Sequence, residues 1–359
     1  MEEKEEFENS SEDSTEDSSE DEFSWSETTF GDGWNGEDMA QHPERWIYEI
    51  TNEDSNDIEN CINGIRESKT NFDQLEIHRI ARCDITLGKF GEKLIEMRND
   101  IRRGIGFRLI RGIQIEKYSR FEICVAYWCI GLYLGEAISQ NGMGHLLGHI
   151  YDLGADHTKP ETRIYRTKYK QRFHTDGGDM VGLLCLMQSK SGGESKLCST
   201  ITIYREMMKR RPDLVEELKK PLFYDRKGEV PVGKDPFFQR AVFSNQNGVF
   251  MARIAPTFIE AAPKRFPDRI PPLSAKLVEA IAMFEALAME FCLDMDFLPG
   301  DIQLVNNHTL THARGTYEDY DEPKRKRHLL RLWINESFDN PSKGILTAKT
   351  RLCVPLYPE

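Results

Sequence analysis

The 359-residue sequence lacks the features that mark several common protein classes. No run of 18 or more apolar residues is present, which argues against a membrane-spanning helix. Glycine has no three-residue period, and we find no internal repeat and no glycine-rich phosphate loop. Beyond residues 324–327, basic residues form no strong run, so we expect no nucleic-acid partner. We likewise expect no membrane partner.

The eight cysteines are dispersed and form no C-x-x-C pair, which is the wrong spacing for a zinc–cysteine site. The chain begins Met1-Glu2-Glu3-Lys4, the opposite of the basic and apolar opening of a secretory signal. We therefore expect reduced, mostly buried thiols and a cytoplasmic location.

Acidic residues are concentrated at the N-terminus. Residues 1–40 contain 16 Asp or Glu and one Lys, a net charge of −15. The whole chain has a net charge of −13, so residues 41–359 carry the difference, +2. Such a segment has too little apolar surface to offset the entropy lost on folding. We predict a disordered acidic tail over residues 1–40, either a solvating segment or a contact for a protein partner, and a domain over residues 41–359.

Helical patterns dominate before residue 145, and strand patterns dominate after it. Apolar spacings of three and four predict helices from Ser55 through Ile65, from Phe90 to Gly104 and from Ser119 to about Leu134. Later helices are predicted at 200–219 and 274–292. Strands are predicted at 146–151, 163–168, 179–187, 221–225, 240–245, 248–254, 301–306 and 328–335, with an Asn-Gly hairpin turn at 247–248. Many strands with inserted helices favour a closed or double-sheet β-fold.

Two segments carry residues that could bind a metal. His174 and Asp176, two positions apart at a predicted strand edge, project to the same side of the chain. The strand at 301–306 leads to His308 and His312, either of which could be a third ligand. Two His and one carboxylate form the facial triad of non-haem Fe(II) oxygenases, which leaves coordination positions open. A single His-x-acid pair is a weak signal, because His42-Pro43-Glu44 offers another.

Two arginines beside the last predicted strand strengthen the metal-site interpretation. Arg327 and Arg331 lie four positions apart on one face, and Leu330, Leu332 and Ile334 face the other way. A buried arginine needs an anionic partner, and a planar guanidinium holds a carboxylate through two hydrogen bonds. A dicarboxylate that also chelates the metal would suit this pattern. A solvated arginine stripe is the alternative.

Five segments together resemble a known family. They are FHTDGGD (173–179), SGGESKLCS (191–199), RPDL (211–214), PGDIQLVNNHTLTHAR (299–314) and RHLLRLW (327–333). Over roughly residues 45–337 the sequence is similar to the TauD/TfdA-like Fe(II)- and 2-oxoglutarate-dependent dioxygenases, particularly the fungal members. The resemblance implies an α+β fold with a mainly β core, namely a double-stranded β-helix (jelly roll) with flanking helices.

The resemblance also implies which residues bind iron: His174, Asp176 and His312. His312 is preferred to His308 because of its spacing to the following arginines. That spacing is four residues longer than in the shortest members, and a loop over Asp319–Pro323 is expected to absorb the extra length.

The implied co-substrate residues are Ser195, Arg327 and Arg331. Arg327 and Ser195 would hold the distal carboxylate of 2-oxoglutarate, and Arg331 would contact either the co-substrate or the substrate. The implied reaction uses O2, releases succinate and CO2, and hydroxylates or desaturates a C–H bond of a small molecule. The metal supplies the difficult chemistry, so no general acid or base is assigned.

In this fold the segment before the His-x-Asp loop commonly faces the substrate. The candidate substrate residues are His149, Tyr151, Lys170, Gln171 and Arg172. Together with Arg331, the basic ones favour an anionic or amino-acid-like metabolite, of the kind found in secondary metabolism.

Three other functions remain open from the residues. A non-catalytic protein of this fold could act through its acidic tail, although every motif residue is present. A zinc hydrolase could use the same His, Asp, His set but gives no reason for Ser195, Arg327 and Arg331 to converge. A histone-demethylase-like oxygenase would share the metal set.

Overall fold

A computed structural model of the protein describes Trp25, residues 28–159 and residues 161–335. Its helices are α1 (Gly36–Gln41), α2 (Asn52–Ser68), α3 (Gly88–Arg103), α4 (Arg120–Leu134), α5 (Thr200–Arg210), α6 (Pro212–Leu218), α7 (Pro256–Arg265) and α8 (Ala275–Phe291). Its strands are β1 (Ile47–Glu49), β2 (Phe107–Arg111), β3 (Glu136–Ile138), β4 (Leu147–Tyr151), β5 (Gln171–His174), β6 (Met180–Met187), β7 (Ser191–Gly192), β8 (Ser195–Ser199), β9 (Leu222–Asp225), β10 (Phe237–Arg240), β11 (Phe243–Gln246), β12 (Val249–Ala252), β13 (Leu293–Met295), β14 (Ile302–Asn306), β15 (Leu310–Arg314), β16 (Tyr317–Glu318) and β17 (His328–Asn335).

Two sheets enclose the centre of the domain. The larger sheet has the order β1-β2-β14-β6-β17-β3, with β4 also paired to β17, and the smaller has the order β13-β8-β15-β5. Side chains from both sheets form one apolar cluster, with Phe107 and Leu329 from the larger and Leu197 and Leu310 from the smaller. This arrangement confirms the predicted jelly roll with a mainly β core.

Helices cover the outer face of each sheet. Helices α3 and α4 pack on the larger sheet, with α2 packed against them, and Phe90 and Tyr127 join Leu332 in a buried cluster. Helices α5 and α8 pack on the smaller sheet, with α6 packed against them, and Phe284 and Ala313 share a second cluster. Both faces of each central strand are therefore buried, so side chains on the inner face of β15 and β17 are shielded from bulk water.

Most predicted elements are present within a few residues of their predicted bounds. The hairpin between β11 and β12 turns at Asn247 and Gly248, whose φ angles of 52° and 79° are those that a type I′ turn needs. The predicted helix at 200–219 is two helices, because Pro212 has no N–H to continue the first.

The predicted strand at 163–168 is wrong. A 3₁₀ turn at Ile164–Arg166 stands there instead. The carbonyl oxygens of Thr167 and Tyr169 accept hydrogen bonds from the side chain of Arg314, not from a neighbouring strand. A distant side chain therefore satisfies some of the backbone carbonyls of this segment, while those of Arg166 and Lys168 accept the backbone N–H groups of Leu153 and Tyr317.

The described part of the predicted acidic tail packs on the domain. Trp34 is 6% exposed and donates its Nε1–H to the carbonyl oxygen of Ile105 at 2.8 Å, and Met39 in α1 is fully buried. Phe30 stacks on Tyr204, with ring centroids 5.3 Å apart. Packing thus begins before the predicted boundary at residue 40, because apolar side chains lie among the acids. The rest of that segment lies outside the described residues, and its character stays a prediction.

We expect Trp34→Ala to lower the free energy of unfolding by about 3–5 kcal/mol, because it empties a large buried site and removes a hydrogen bond. Chemical denaturation measures this loss. The exposed Asp32→Ala, two residues away, is the control and should change the free energy of unfolding by less than about 0.5 kcal/mol. A loss below about 1 kcal/mol for Trp34→Ala would show that this segment does not belong to the folded unit.

The described cysteines are all free thiols, and five of them are buried, as predicted. Cys353 lies outside the described residues. Among the residues that the structure covers, no helix combines the length and apolarity needed to cross a bilayer.

Candidate active site

The three predicted metal ligands converge between the two sheets. His174 ends β5 and lies directly opposite His312 on the neighbouring strand β15, with ring centroids 4.3 Å apart. Asp176 follows in the loop, and its carboxylate oxygens lie 3.9 Å from His174 Nε2 and 3.8 Å from His312 Nε2. One ligand atom from each residue lies within 4.8 Å of the others. This spacing could hold a single metal ion.

Burial gives these side chains the protonation states that metal binding needs. Loss of solvent lowers the pKa of His312 to about 3 and also lowers the pKa of His174, so both imidazoles are neutral. Burial opposes ionisation of Asp176, but the charge of Arg331 outweighs it and holds the pKa of Asp176 below the usual range. Two neutral imidazoles and one carboxylate are a donor set that fits Fe(II).

Hydrogen bonding also orients His174. Its Nδ1 lies 2.9 Å from the backbone carbonyl oxygen of Arg172, which only an N–H can approach favourably. The proton therefore resides on Nδ1, and Nε2 keeps the lone pair that a metal requires. Nδ1 of His312 is buried and has no hydrogen-bond partner among the described residues.

Two residues that the sequence analysis missed hold the loop behind Asp176. Asn307 accepts the N–H of Asp176 at 3.1 Å and donates to the carbonyl oxygen of Gly178 at 2.9 Å. Arg253 donates to the carbonyl oxygens of Asp176 and Gly178 at 2.6 and 3.0 Å. His308 bonds Asp179 of the same loop at 2.9 Å and lies apart from the metal-site group, which agrees with the preference for His312.

Arg331 is part of the metal-site surroundings. Its Nη1 lies 3.3 Å from both carboxylate oxygens of Asp176, and its Nε donates to Gln140 Oε1 at 2.7 Å. Its guanidinium packs between the rings of Tyr165 and Trp333, at 5.0 and 4.8 Å from their centroids. Arg331 therefore orients Asp176, a role that adds to the two predicted for it.

Arg327 is a buried cation, and the nearby carboxylate of Asp319 attracts it without forming an ion pair; Asp319 Oδ1 instead accepts the backbone N–H of Arg327 at 2.7 Å. It is 4% exposed, and within the described part of the chain it forms no ion pair and its Nη1 has no hydrogen-bond partner. Burial lowers its pKa, which reflects the free-energy cost of desolvating a charge. Gly193 makes room for it, since a Cβ there would lie 3.2 Å from Arg327 Nε. Ser195 lines the same cleft and shares a hydrogen bond with Gln303.

His149 and Tyr151, predicted to face the substrate, point away from the cleft. They pair with Leu330 and His328 of β17 and share the outer face of the sheet with them. His149 Nδ1 lies 2.7 Å from His328 Nε2. Ile150, between them, lines the cleft instead. The structure therefore corrects this placement. On β4, His149 and Tyr151 face outwards and Ile150 faces the cleft, which is the reverse of the predicted orientation.

Lys170 and Arg172 are also outside the cleft. Lys170 is exposed, and Arg172 forms ion pairs with Glu260 and Glu285 at 2.8 and 2.5 Å on the side of α7 and α8. Strict alternation from His174 would turn Arg172 inwards. A β-bulge shifts the register, so that Gln171 lies in the cleft instead.

The cleft contains further residues that the sequence analysis did not assign. They are Ile150, Tyr165, Leu183, Phe297, Ala313, Arg314 and Leu329. Arg314 ends the segment PGDIQLVNNHTLTHAR two residues after His312, so strand alternation was the signal that could have placed it.

Comparisons with known proteins agree with this geometry. The family described as "Taurine catabolism dioxygenase TauD, TfdA family" matches residues 74–333. FR-33289 synthase of Streptomyces rubellomurinus is 32% identical over 273 residues, which cover 74% of this chain and 80% of that protein. Taurine hydroxylase-like protein SAT17 of Stachybotrys chartarum is 31% identical over 256 residues, which cover 68% of this chain and 65% of that protein.

Solved structures share the fold at low sequence identity. Asparagine oxygenase in complex with Fe(II), a hydroxyasparagine and succinate superposes with a TM-score of 0.62 at 15% identity, covering 81% of this chain and 94% of that one. The non-haem iron oxygenase OrfP, in complex with Fe, succinate and (3S)-hydroxy-L-Arg, gives a TM-score of 0.60 at 12% identity, covering 84% and 99%. These likenesses support the jelly-roll assignment.

The chain belongs to the TauD/TfdA dioxygenase family. It is a 2-oxoglutarate-dependent dioxygenase that uses Fe(II) and O2, as the sequence motifs predicted. The zinc hydrolase alternative is thereby set aside.

Proposed function

We propose that the protein hydroxylates or desaturates a C–H bond of a small anionic or amino-acid-like metabolite, while 2-oxoglutarate is converted to succinate and CO2. One observation carries this proposal: the buried guanidinium of Arg327, which forms no ion pair among the described residues, lies in the same cleft as the His174, Asp176 and His312 group. A metal-ligand set alone suits many reactions, but a buried cation beside it calls for an anion in the same cleft.

Each residue has one role in this proposal. Nε2 of His174, the carboxylate of Asp176 and Nε2 of His312 would hold the iron. When bound, the iron supplies the oxidising chemistry, with O2 as oxidant and 2-oxoglutarate as electron donor. Arg327 and the hydroxyl of Ser195 would hold the distal carboxylate of 2-oxoglutarate. Apolar walls of the cleft exclude water from the reacting atoms.

The charge of the cleft supports an anionic substrate. Arg314, Arg327 and Arg331 line it, and Asp176 is the carboxylate among its described lining residues. A divalent metal raises this positive charge further, and 2-oxoglutarate with its two carboxylates offsets only part of the total. Asparagine oxygenase and OrfP, which share the fold, are described with hydroxylated amino acids, and we extend that class to this protein as part of the proposal.

The first test is an anaerobic absorption spectrum of the purified protein with Fe(II) and 2-oxoglutarate. We expect a metal-to-ligand charge-transfer band in the wild type and none in His174→Ala. Succinate release is then measured with amino acids and with small carboxylates, sulfonates and phosphonates. We expect at least one anionic or amino-acid-like compound to raise succinate release and to gain an oxygen atom or lose two hydrogens.

Two outcomes would contradict the proposal. Absence of the band in folded, iron-loaded wild type would favour the non-catalytic alternative. Stimulation by neutral apolar compounds alone would keep the reaction type but overturn the substrate class. Zinc-loaded protein is the control, because zinc has no redox chemistry and should support no succinate release.

A further inference from the structure

Arg314 shares the inner face of β15 with His312. The two residues are separated by one position, so their side chains point to the same side of the strand. Across the sheet, Arg314 lies directly opposite Ser195 on β8 and Gln171 on β5, and it is only 6% exposed. Cross-strand neighbours have Cβ atoms about 4.5–5.5 Å apart, so Arg314 and the co-substrate serine proposed above are in reach of one ligand.

Arg314 and Arg327 approach the same aromatic ring. Their guanidinium carbons lie 4.9 and 5.2 Å from the centroid of the Tyr317 ring. Nη2 of Arg314 is occupied, because it donates to the carbonyl oxygens of Thr167, at 2.9 Å, and Tyr169. Nε and Nη1 of Arg314 are buried and, like Nη1 of Arg327, have no hydrogen-bond partner in the described part of the chain.

No carboxylate described in the structure forms an ion pair with either of these cations. Asp319 attracts both only at longer range, and its Oδ1 accepts the backbone N–H of Arg327. The carboxylate in the cleft, Asp176, is already paired with Arg331. Burial, and next the charge of Arg327, lower the pKa of Arg314 to about 10, so it stays protonated at neutral pH. Two neighbouring buried guanidinium groups with three free donor atoms are costly unless an anion occupies the space between them.

We propose that Arg314 is a second arginine of the co-substrate site and, together with Arg327 and Ser195, binds the distal carboxylate of 2-oxoglutarate. This inference rests on the proposed function, which already brings that dianion to the cleft. Support of the backbone at Thr167 and Tyr169 accounts for Nη2 of Arg314 but not for its Nε and Nη1. The two free nitrogens of Arg314 face a cleft in which a carboxylate has enough acceptor sites for both guanidinium groups.

The test compares 2-oxoglutarate with pyruvate, a 2-oxo acid without the distal carboxylate. Anaerobic calorimetric titration into the Fe(II)-loaded protein gives the Kd of each. We expect Arg314→Gln to weaken 2-oxoglutarate binding about 10- to 100-fold, the usual effect of removing charge-assisted hydrogen bonds, and to change pyruvate binding less than about threefold. Arg314→Lys keeps a cation and should retain more of the preference for 2-oxoglutarate over pyruvate than Arg314→Gln does. It also remains informative if Arg314→Gln does not fold.

Arg166→Gln is the matched control. It removes an exposed arginine beside the same backbone segment and should leave the ratio of the two Kd values unchanged. The inference would be overturned if both Arg314 variants weakened the binding of 2-oxoglutarate and pyruvate equally, or weakened neither. In that outcome Arg327→Gln would still lose the preference for 2-oxoglutarate over pyruvate. Failure of the wild type to bind 2-oxoglutarate with Fe(II) would instead overturn the proposed function.

Discussion

His312→Ala is expected to abolish tight Fe(II) binding and all 2-oxoglutarate turnover. Loss of an outer partner of a metal ligand costs about 10- to 100-fold in metal affinity, and loss of a ligand itself should exceed that range. The remaining His174 and Asp176 would leave the ion with two protein ligands and with Arg331 in contact with one of them. Anaerobic competition with a chromogenic chelator measures the Fe(II) affinity.

His308→Ala is the matched control for this prediction. His308 lies four residues earlier and bonds Asp179 at 2.9 Å, so its loss should loosen the loop and weaken Fe(II) binding by no more than about 100-fold. Circular dichroism would establish that both variants are folded. If His308→Ala lost iron as completely as His312→Ala, or if His312→Ala kept it, the assignment of the third ligand would be wrong.

Arg327→Gln is expected to weaken 2-oxoglutarate binding by about 2–5 kcal/mol, roughly 30- to 5,000-fold in Kd. The reason is that the guanidinium is already desolvated and forms no ion pair with any carboxylate among the described residues. The same argument predicts an unusual side effect. The ligand-free variant should be at least as stable as the wild type, because an uncompensated buried charge has been removed.

Two measurements check this pair of effects: calorimetric titration of 2-oxoglutarate at fixed Fe(II), and thermal unfolding of the ligand-free protein. Arg325→Gln, two residues earlier and exposed, removes the same charge and should change neither. An unchanged Kd in Arg327→Gln would exclude Arg327 from the co-substrate site. A large loss of ligand-free stability would indicate instead that Arg327 supports the fold.

Local patterns in the sequence were sufficient for many elements. The helix α4 begins after Ser119, whose side chain and that of Glu122 form a capping box before an apolar run. Asn247-Gly248 specified the turn between β11 and β12, because only residues that tolerate a positive φ suit it. The triad was visible because its motif segments retain both residue types and spacing, although spacing alone left His308 and His312 equivalent.

Which side chains of the site strands face the cleft depended on the tertiary structure. His312 pairs with His174, and Arg314 pairs with Gln171. The two pairs are therefore two residues apart on β15 but three residues apart on β5. This bulge turns Arg172 towards the helices, and no local pattern in the sequence predicts the bulge. A one-residue shift exchanges the two faces of a strand, so a substrate residue chosen by counting from the metal ligand falls on the wrong side.

The sequence by itself determined the fold class and the family and was enough to predict the candidate metal ligands, because these depend on residue types held in short segments. Only the tertiary structure decided which arginines are neutralised. Arg331 meets Asp176 from 155 positions away, Arg172 meets Glu285 from 113 positions away, and Arg314 and Arg327 have no carboxylate partner among the described residues. Charge pairing requires contact within about 4 Å, and contacts between distant segments exist only after the sheets have closed around them.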